Sequence, residues 1–101
     1  MGTPEDAEPA SLDLAPVLDL KAATPLAQAL IALRGRDVTV NASAVERMGA
    51  QCFQVLLSAR NTWAEDGAKF AVTEPSDSFV EILALLGAPY PTYFQPAELA
   101  A

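Results

Sequence analysis

A strand, a long helix and a second strand are predicted within residues 38–73, which read VTVNASAVERMGAQCFQVLLSARNTWAEDGAKFAVT. The β-branched run Val38-Thr39-Val40 is bounded by turn-forming residues, as is typical of a buried central strand. From Ala50 to about Asp66, apolar residues recur at steps of three and four, which predicts a helix with one core-facing side. Gly67 should end this helix, and Phe70 to Thr73 read as the next strand. A strand, helix and strand in this order favour two parallel strands joined by a right-handed crossover.

The N-terminal side of this unit adds strands and one helix. Apolar residues 12–20 are interrupted by Pro16, which predicts an edge strand or a turn between two short strands. Thr24-Pro25 has the composition of a helix start, with threonine as the cap and proline in the first position. Helix one should therefore run from there to about Arg34-Gly35.

The C-terminal side adds a last helix. Ser76-Asp77-Ser78 predicts its start, and Ser78 and Glu81 have the spacing of a capping box. Gly87 should end it. The predicted fold class is therefore α/β, with a mixed β-sheet of four to five strands flanked by helices.

Composition divides the chain into three parts. Residues 1–10 are rich in proline, alanine and acid and are predicted to be a flexible acidic arm. Residues 11–88 are the predicted domain; a chain of 101 residues that is 51% hydrophobic has enough apolar side chains for one core. Residues 89–101 are a tail of prolines and aromatics, which folds back over the domain, stays disordered or binds a partner.

The charge balance excludes several partners. Thirteen acidic residues against six basic ones give a net charge of −7, which disfavours nucleic acid and anionic membrane surfaces. No apolar run approaches the roughly 20 residues of a spanning helix, so direct membrane insertion is not expected. The N-terminus lacks the basic and apolar regions of a secretory signal, and a cytoplasmic location is the expectation.

The residue types also disfavour catalysis. The chain has no histidine and one cysteine, so it can build neither a Ser-His or Cys-His pair nor a zinc cluster. We therefore expect no enzyme activity, no metal and no cofactor. Cys52 at a helix start could sense oxidants, but its place on the apolar stripe favours an inert core residue.

Three segments resemble the STAS family (sulfate transporter and anti-sigma factor antagonist). They are LDLKAATPLAQALIAL at residues 18–33, VTVNASAVERM at 38–48 and FAVTEPSDSFVEILALLG at 70–87. In the last segment, Glu74-Pro75-Ser76 resembles the family's Asn-Pro-Ser turn. The resemblance implies a sheet flanked by helices and a role in docking, and the best-known members bind a serine kinase of the histidine-kinase-like ATPase superfamily.

The resemblance also implies a switch that this chain lacks. Family members carry an Asp-Ser/Thr-Ser-Gly-like run before the second helix, and phosphorylation there breaks the complex. Gly49, Ala50, Gln51 and Cys52 lie over that run, so the phosphoacceptor position is Gln51. Neither glutamine nor alanine accepts phosphate. Ser43 could be modified instead, although a serine in Asn41-Ala42-Ser43 more often satisfies turn backbone groups.

A docking surface on helix two is predicted from the spacing of its polar residues. On helix two, Gln51, Gln54, Ser58, Asn61 and Glu65 step by three and four, so they form one face opposite the apolar stripe. This face is either an interface or merely solvated. The predicted partner-binding residues on helix two and the loop before it are Ser43, Glu46, Arg47, Gly49, Ala50, Gln51, Gln54, Ser58 and Asn61.

The sequence supports a first hypothesis of a non-enzymatic adaptor that binds an ATPase-type kinase through helix two. That kinase is a chemotaxis histidine kinase or an anti-sigma-type kinase, as the family relationship implies. The alternative is a structural subunit of a membrane ABC-type transport complex, as some small STAS proteins are. A small-molecule sensor is a third class, for which the predicted core offers no polar cluster.

Overall fold

A computed structural model describes residues 9–90 and residue 94 of the chain. These residues form five strands and three helices. In chain order they are β1 Ala10–Asp13, β2 Val17–Leu18, α1 Leu20–Ala32, β3 Val38–Asn41, β4 Arg47–Met48, α2 Ala50–Glu65, β5 Phe70–Thr73 and α3 Asp77–Leu85.

The strands form two parallel sheets. The larger has the order β1-β3-β5, with Ala10 beside Val38 and Val38 beside Phe70. The smaller pairs β2 with β4. The α/β class and five strands are confirmed. The described strands form two parallel sheets and not the expected single mixed sheet, because helices α1 and α2 carry the chain back across the larger sheet.

Pro16 explains why the N-terminal strands belong to different sheets. Proline has no N–H to donate to a ladder. Strand β1 ends before Pro16, and strand β2 begins after it. Its carbonyl instead accepts from the backbone N–H of Glu46, at 2.7 Å, and of Arg47, at 3.1 Å. The predicted turn between two short strands is therefore present, and it anchors the segment before α2.

The core lies between the sheets and the helices. The predicted central strand is buried through Val38 and Val40, and the apolar stripe of α2 is buried through Cys52, Leu56 and Trp63. The Trp63 indole Nε1 donates to the carbonyl of Arg36 at 2.6 Å. Within the described residues, each buried side-chain nitrogen or oxygen has a hydrogen-bond partner, as a stable core requires.

The predicted start of the first helix is wrong. Helix α1 begins at Leu20, because the Asp19 carboxylate accepts from the backbone N–H of Ala22 at 3.2 Å and caps it. Pro25 lies inside the helix, not at its first position. There it removes one hydrogen bond near the helix start, to the carbonyl of exposed Lys21.

Helix α3 begins at the predicted serine cluster but with a different cap. Ser76 is the N-cap: its hydroxyl accepts from the backbone N–H of Phe79 at 3.0 Å and donates to the carbonyl of Val45 at 2.6 Å. The capping box of Ser78 and Glu81 is therefore wrong, since both residues lie within the helix. The Ser76 hydroxyl also ties α3 to the segment before α2.

Two residues of the C-terminal tail, Tyr90 and Phe94, pack onto the domain. The Tyr90 hydroxyl donates to the carbonyl of Val72 at 2.6 Å, and Phe94 is fully buried with its ring centroid 6.3 Å from Phe70 and 6.4 Å from Phe79. Residues 1–8 of the acidic arm, residues 91–93 and residues 95–101 lie outside the described residues. The domain limits at 11 and 88 stay a prediction.

Candidate docking surface

The segment from β3 to α2 starts with a side-chain turn. The Asn41 side-chain oxygen accepts from both the backbone N–H of Ser43, at 2.9 Å, and its hydroxyl, at 2.6 Å. Ser43 therefore has the structural role that its position favoured, because its backbone N–H and its hydroxyl both satisfy the turn. Ser43 is exposed at the edge of the predicted surface.

The next residues alternate between the core and solvent. Val45 and Met48 are buried, whereas Glu46 and Arg47 are exposed. Arg47 lies in strand β4, within a segment that was predicted to be a loop. Backbone bonds to the Pro16 carbonyl hold Glu46 and Arg47 in place, so both side chains start from a fixed backbone.

The first turn of α2 has no side-chain cap. Gly49 is the N-cap residue, and its backbone N–H donates to the carbonyl of Leu18 at 2.9 Å. Ala50 and Gln51 follow as exposed residues. Because Gly49 has no side chain, the first N–H groups of α2 are left for solvent or a bound group.

The predicted polar face of α2 is exposed along its whole length. Its five residues are all exposed, while the opposite side of the helix is buried in the core. They are Gln51, Gln54, Ser58, Asn61 and Glu65. Their periodic placement is therefore as the sequence indicated, and their part in binding stays a prediction.

The predicted site residues divide into three groups. Glu46, Arg47 and Gly49 line one groove together with Leu20. Ser58 lines a second groove, between α1 and α2. The other predicted residues of α2, which are Ala50, Gln51, Gln54 and Asn61, are exposed and line neither groove.

Leu20 is the residue that the sequence reasoning missed. It lies at the start of α1, is 71% exposed, and borders the same groove as Arg47 and Gly49. A large aliphatic side chain at this exposure is informative where it adjoins exposed polar residues of a candidate interface. The available signal was Asp19, whose capping of α1 places Leu20 in the first turn.

Cys52 is unsuited to redox sensing. It is fully buried, and its thiol Sγ donates to the carbonyl of Asp19 at 3.3 Å. Burial raises the pKa of the thiol, and the nearby charge of Asp19 raises it further. The thiolate, which is the reactive form, is therefore disfavoured, as expected for an inert core residue.

The part of the chain that the structure describes has neither a metal site nor a membrane-spanning helix. It contains no group of three or more carboxylate or thiol side chains placed to hold a metal ion. None of its helices combines the length and the apolar character that crossing a bilayer requires.

Comparison with protein families gives one match. Residues 1–89 match the family described as "Mlab, STAS domain". The chain belongs to the STAS family. Comparison with curated proteins and with solved structures gave no match. STAS domains are generally binding modules without catalytic activity, which agrees with a surface of exposed side chains around one helix.

Proposed function

We propose that this STAS domain is a non-enzymatic docking protein that binds an ATPase-type signalling kinase through α2. The observation that carries the proposal is the continuous exposed strip on α2 formed by Gln51, Gln54, Ser58 and Asn61. The exposed Arg47 precedes this strip in the chain. In this proposal the kinase is a chemotaxis histidine kinase or an anti-sigma-type kinase, as the family relationship implies.

The chemistry of the strip supports an interface. Its four side chains are amides and a hydroxyl, which lose less free energy than charges when a partner removes their water. They can also donate and accept hydrogen bonds across the contact. Interfaces are depleted of charged residues at their centre and carry charge at the rim, which is where Glu46, Arg47 and Glu65 lie relative to the strip.

Binding in this proposal has no phosphorylation switch. By the family resemblance, Gln51 corresponds to the phosphoacceptor position. It is exposed in the first turn of α2 beside Ala50. A serine kinase transfers its phosphoryl group to a hydroxyl, and neither side chain has one. The complex is then governed by affinity and by the concentrations of the two proteins.

A second candidate function is supported by the family match. The matched family is described by the name Mlab, and some small STAS proteins are structural subunits of membrane ABC-type transport complexes. That partner is also an ATPase, so the same α2 strip would serve. In this candidate the chain supports the transporter from outside the bilayer.

The test is a pull-down from the native host at physiological salt with mass spectrometry of bound proteins. The wild type is compared with the double variant Gln54→Arg and Ser58→Arg, which places two bulky charges on the strip. The control is Gln28→Arg and Ala32→Arg, two exposed positions on α1. Both double variants change the net charge equally, so any general electrostatic effect cancels.

Each result decides between the candidates. A histidine-kinase-like ATPase that binds the wild type and the control, and not the strip variant, supports the kinase partner. Transporter subunits with the same pattern support the second candidate. An ATPase that binds the strip variant as well as the wild type would contradict the assigned surface.

A further inference from the structure

Strand β1 is an outer strand of the larger sheet. Within the described residues it pairs with β3 alone. The backbone N–H of Ala10 donates to the carbonyl of Asp37 at 2.8 Å, so Ala10 turns its backbone groups toward β3. Because these groups alternate in direction along a strand, those of Ser11 and Asp13 point the other way. Two N–H groups and two carbonyls therefore line the outer edge of β1.

This outer edge is accessible to another strand. The side chains of Ser11 and Asp13 are exposed, and Leu12 between them is half-buried. The strand contains neither proline nor lysine, which often protect the edges of sheets, and Asp13 at its end is its one charged residue. An extended chain can therefore bond to it along its length.

The opposite edge of the same sheet is already occupied. The Tyr90 hydroxyl donates to the carbonyl of Val72 in β5 at 2.6 Å. Contact from the β1 edge of one copy to the β5 edge of the next would build an open-ended chain of molecules, and Tyr90 stands in its way. Contact between two β1 edges is closed, since it uses the same edge of both copies.

We infer that two copies of this chain associate through β1, in antiparallel pairing about a twofold axis at Leu12. The two three-stranded sheets then join into one of six strands. Ser11 of each copy lies opposite Asp13 of the other, and four backbone hydrogen bonds form between them. The inference is independent of the proposed function, because β1 contains no residue of the docking strip.

The side chains select this register. The Ser11 hydroxyl can donate to the Asp13 carboxylate opposite it, and Leu12 meets its own copy in a close pair that covers both side chains. A twofold axis at Asp13 would instead place two carboxylates opposite each other. An axis at Ser11 would place Asp13 opposite Pro9, which has no N–H to donate.

Charge and size make the pair weak. Each copy has a net charge of −7, so the two copies repel each other at low salt. A contact of four residues on each side is smaller than a standard interface, and we expect a Kd of about 0.1–1 mM. Added salt should strengthen the association, which is the opposite of its effect on a complex with a basic partner.

The first test is sedimentation velocity of the full chain from about 20 µM to about 2 mM, at low and high salt. The wild type should shift from monomer to dimer, and at lower concentration in high salt. Ser11→Pro removes one outward N–H at a place where an edge strand tolerates proline, and it should weaken association at least about tenfold. The control Asp13→Asn retains all the backbone groups and should associate at least as well as the wild type.

The second test measures the register by disulfide cross-linking. In the inferred pair the two Leu12 Cα atoms lie about 4.5 Å apart, within the range of a disulfide, whereas the two Ser11 Cα atoms are roughly 8 Å apart and beyond it. With glutathione disulfide as oxidant, Leu12→Cys should form covalent dimers at least about tenfold faster than Ser11→Cys. The buried Cys52 is common to both variants, and the wild type measures its contribution.

Three results would overturn the inference. They are a wild type that stays monomeric at about 2 mM in high salt, undiminished association of Ser11→Pro, and equal cross-linking of the two cysteine variants. The cross-linking comparison does not depend on the proline variant, so it decides the register even if Ser11→Pro lowers the stability of the monomer.

Discussion

Glu74 has a backbone conformation that its side chain disfavours. It follows β5 with a φ of 50°, in the left-handed region, and precedes the turn at Pro75. Asparagine tolerates this region several times more often than glutamate does. The turn therefore stores a small amount of strain at an exposed position.

The substitution Glu74→Asn should relieve that strain. We expect the free energy of unfolding to rise by about 0.5–1 kcal/mol, measured by urea denaturation. The matched control is Glu46→Asn, at an exposed position outside the positive-φ residues. A stability gain of the same size in the control would attribute the effect to charge and not to backbone conformation.

The two glycines at the ends of α2 differ in whether their backbone conformation allows a side chain. Gly49, before α2, has a φ of −92°, and an added Cβ would lie 3.9 Å from the carbonyl oxygen of Leu18, an ordinary contact. Gly67, after α2, has a φ of 74°, which disfavours any side chain although the space around it is open. The same substitution at the two sites should therefore change stability in opposite directions.

Gly49→Ser should stabilise the protein by about 0.5–1 kcal/mol, because serine supplies the missing N-cap acceptor and lowers the entropy of the unfolded chain. Gly67→Ser should destabilise it by about 1 kcal/mol. Thermal unfolding of the two variants checks both signs. A lower Tm for Gly49→Ser would mean that the first turn of α2 needs its glycine for another reason.

The ion pair of Arg34 and Asp66 joins the ends of α1 and α2. The hydrogen bond from Arg34 lowers the pKa of Asp66, so the ionised carboxylate stabilises the folded state above the ordinary carboxyl pKa of about 3.9. That contribution is lost as the pH falls through the lowered pKa. Arg34 stays protonated across this range.

Asp66→Asn should therefore lower the Tm at pH 7, and the difference from the wild type should be smaller near pH 2, because the stabilisation by the ionised carboxylate falls as the pH drops through its lowered pKa. Added salt should shrink the difference at pH 7, because the pair is exposed. Asp13→Asn is the control, since Asp13 makes no ion pair within the described residues. An equal effect of Asp66→Asn at both pH values would contradict this account.

The elements that the sequence predicted well are those whose pattern is local. Helix α2 and strands β3 and β5 follow from periodicity and flanking glycines, and their bounds match within a residue or two. Strand β4 could not be predicted, because two residues form it only where the Pro16 and Leu18 carbonyls lie beside the chain. The start of α1 was misplaced because Pro25 is a stronger signal than the Asp19 cap.

The candidate site was predictable to the same extent. Exposure of the α2 strip follows from its spacing opposite the core stripe, which is local information. The position of Leu20 beside Arg47 and Gly49 depends on how β2 pairs with β4, and this pairing brings together residues about 30 apart in the chain. Contacts of this kind have no signature in one sequence.

The core of the molecule includes residues that lie beyond residue 89, where the match to the family ends. Tyr90 and Phe94 are both buried, and Phe94 touches aromatic rings from β5 and α3. A domain of this size has a net stability of only about 5–15 kcal/mol, so one buried aromatic is a large share of it. Tyr90 and Phe94 are therefore part of the core.

Phe94→Ala should lower the free energy of unfolding by about 3–5 kcal/mol, the range for removing a buried aromatic side chain. Phe94→Leu should cost less, because it retains much of the apolar volume. Urea denaturation measures both. A cost below about 1 kcal/mol for Phe94→Ala would show that this side chain contributes little to the core.

The hydrogen bond from the Tyr90 hydroxyl also protects the edge of the larger sheet from pairing with other chains. Strand β5 is the last in the order β1-β3-β5, and the carbonyl of Val72 points away from β3, toward the open edge. Another chain can add a strand to an unpaired sheet edge, and such pairing leads to aggregation. The phenol blocks that edge at its middle. Variants that remove the Tyr90 hydroxyl should therefore fail first by aggregation, while the domain itself is still folded.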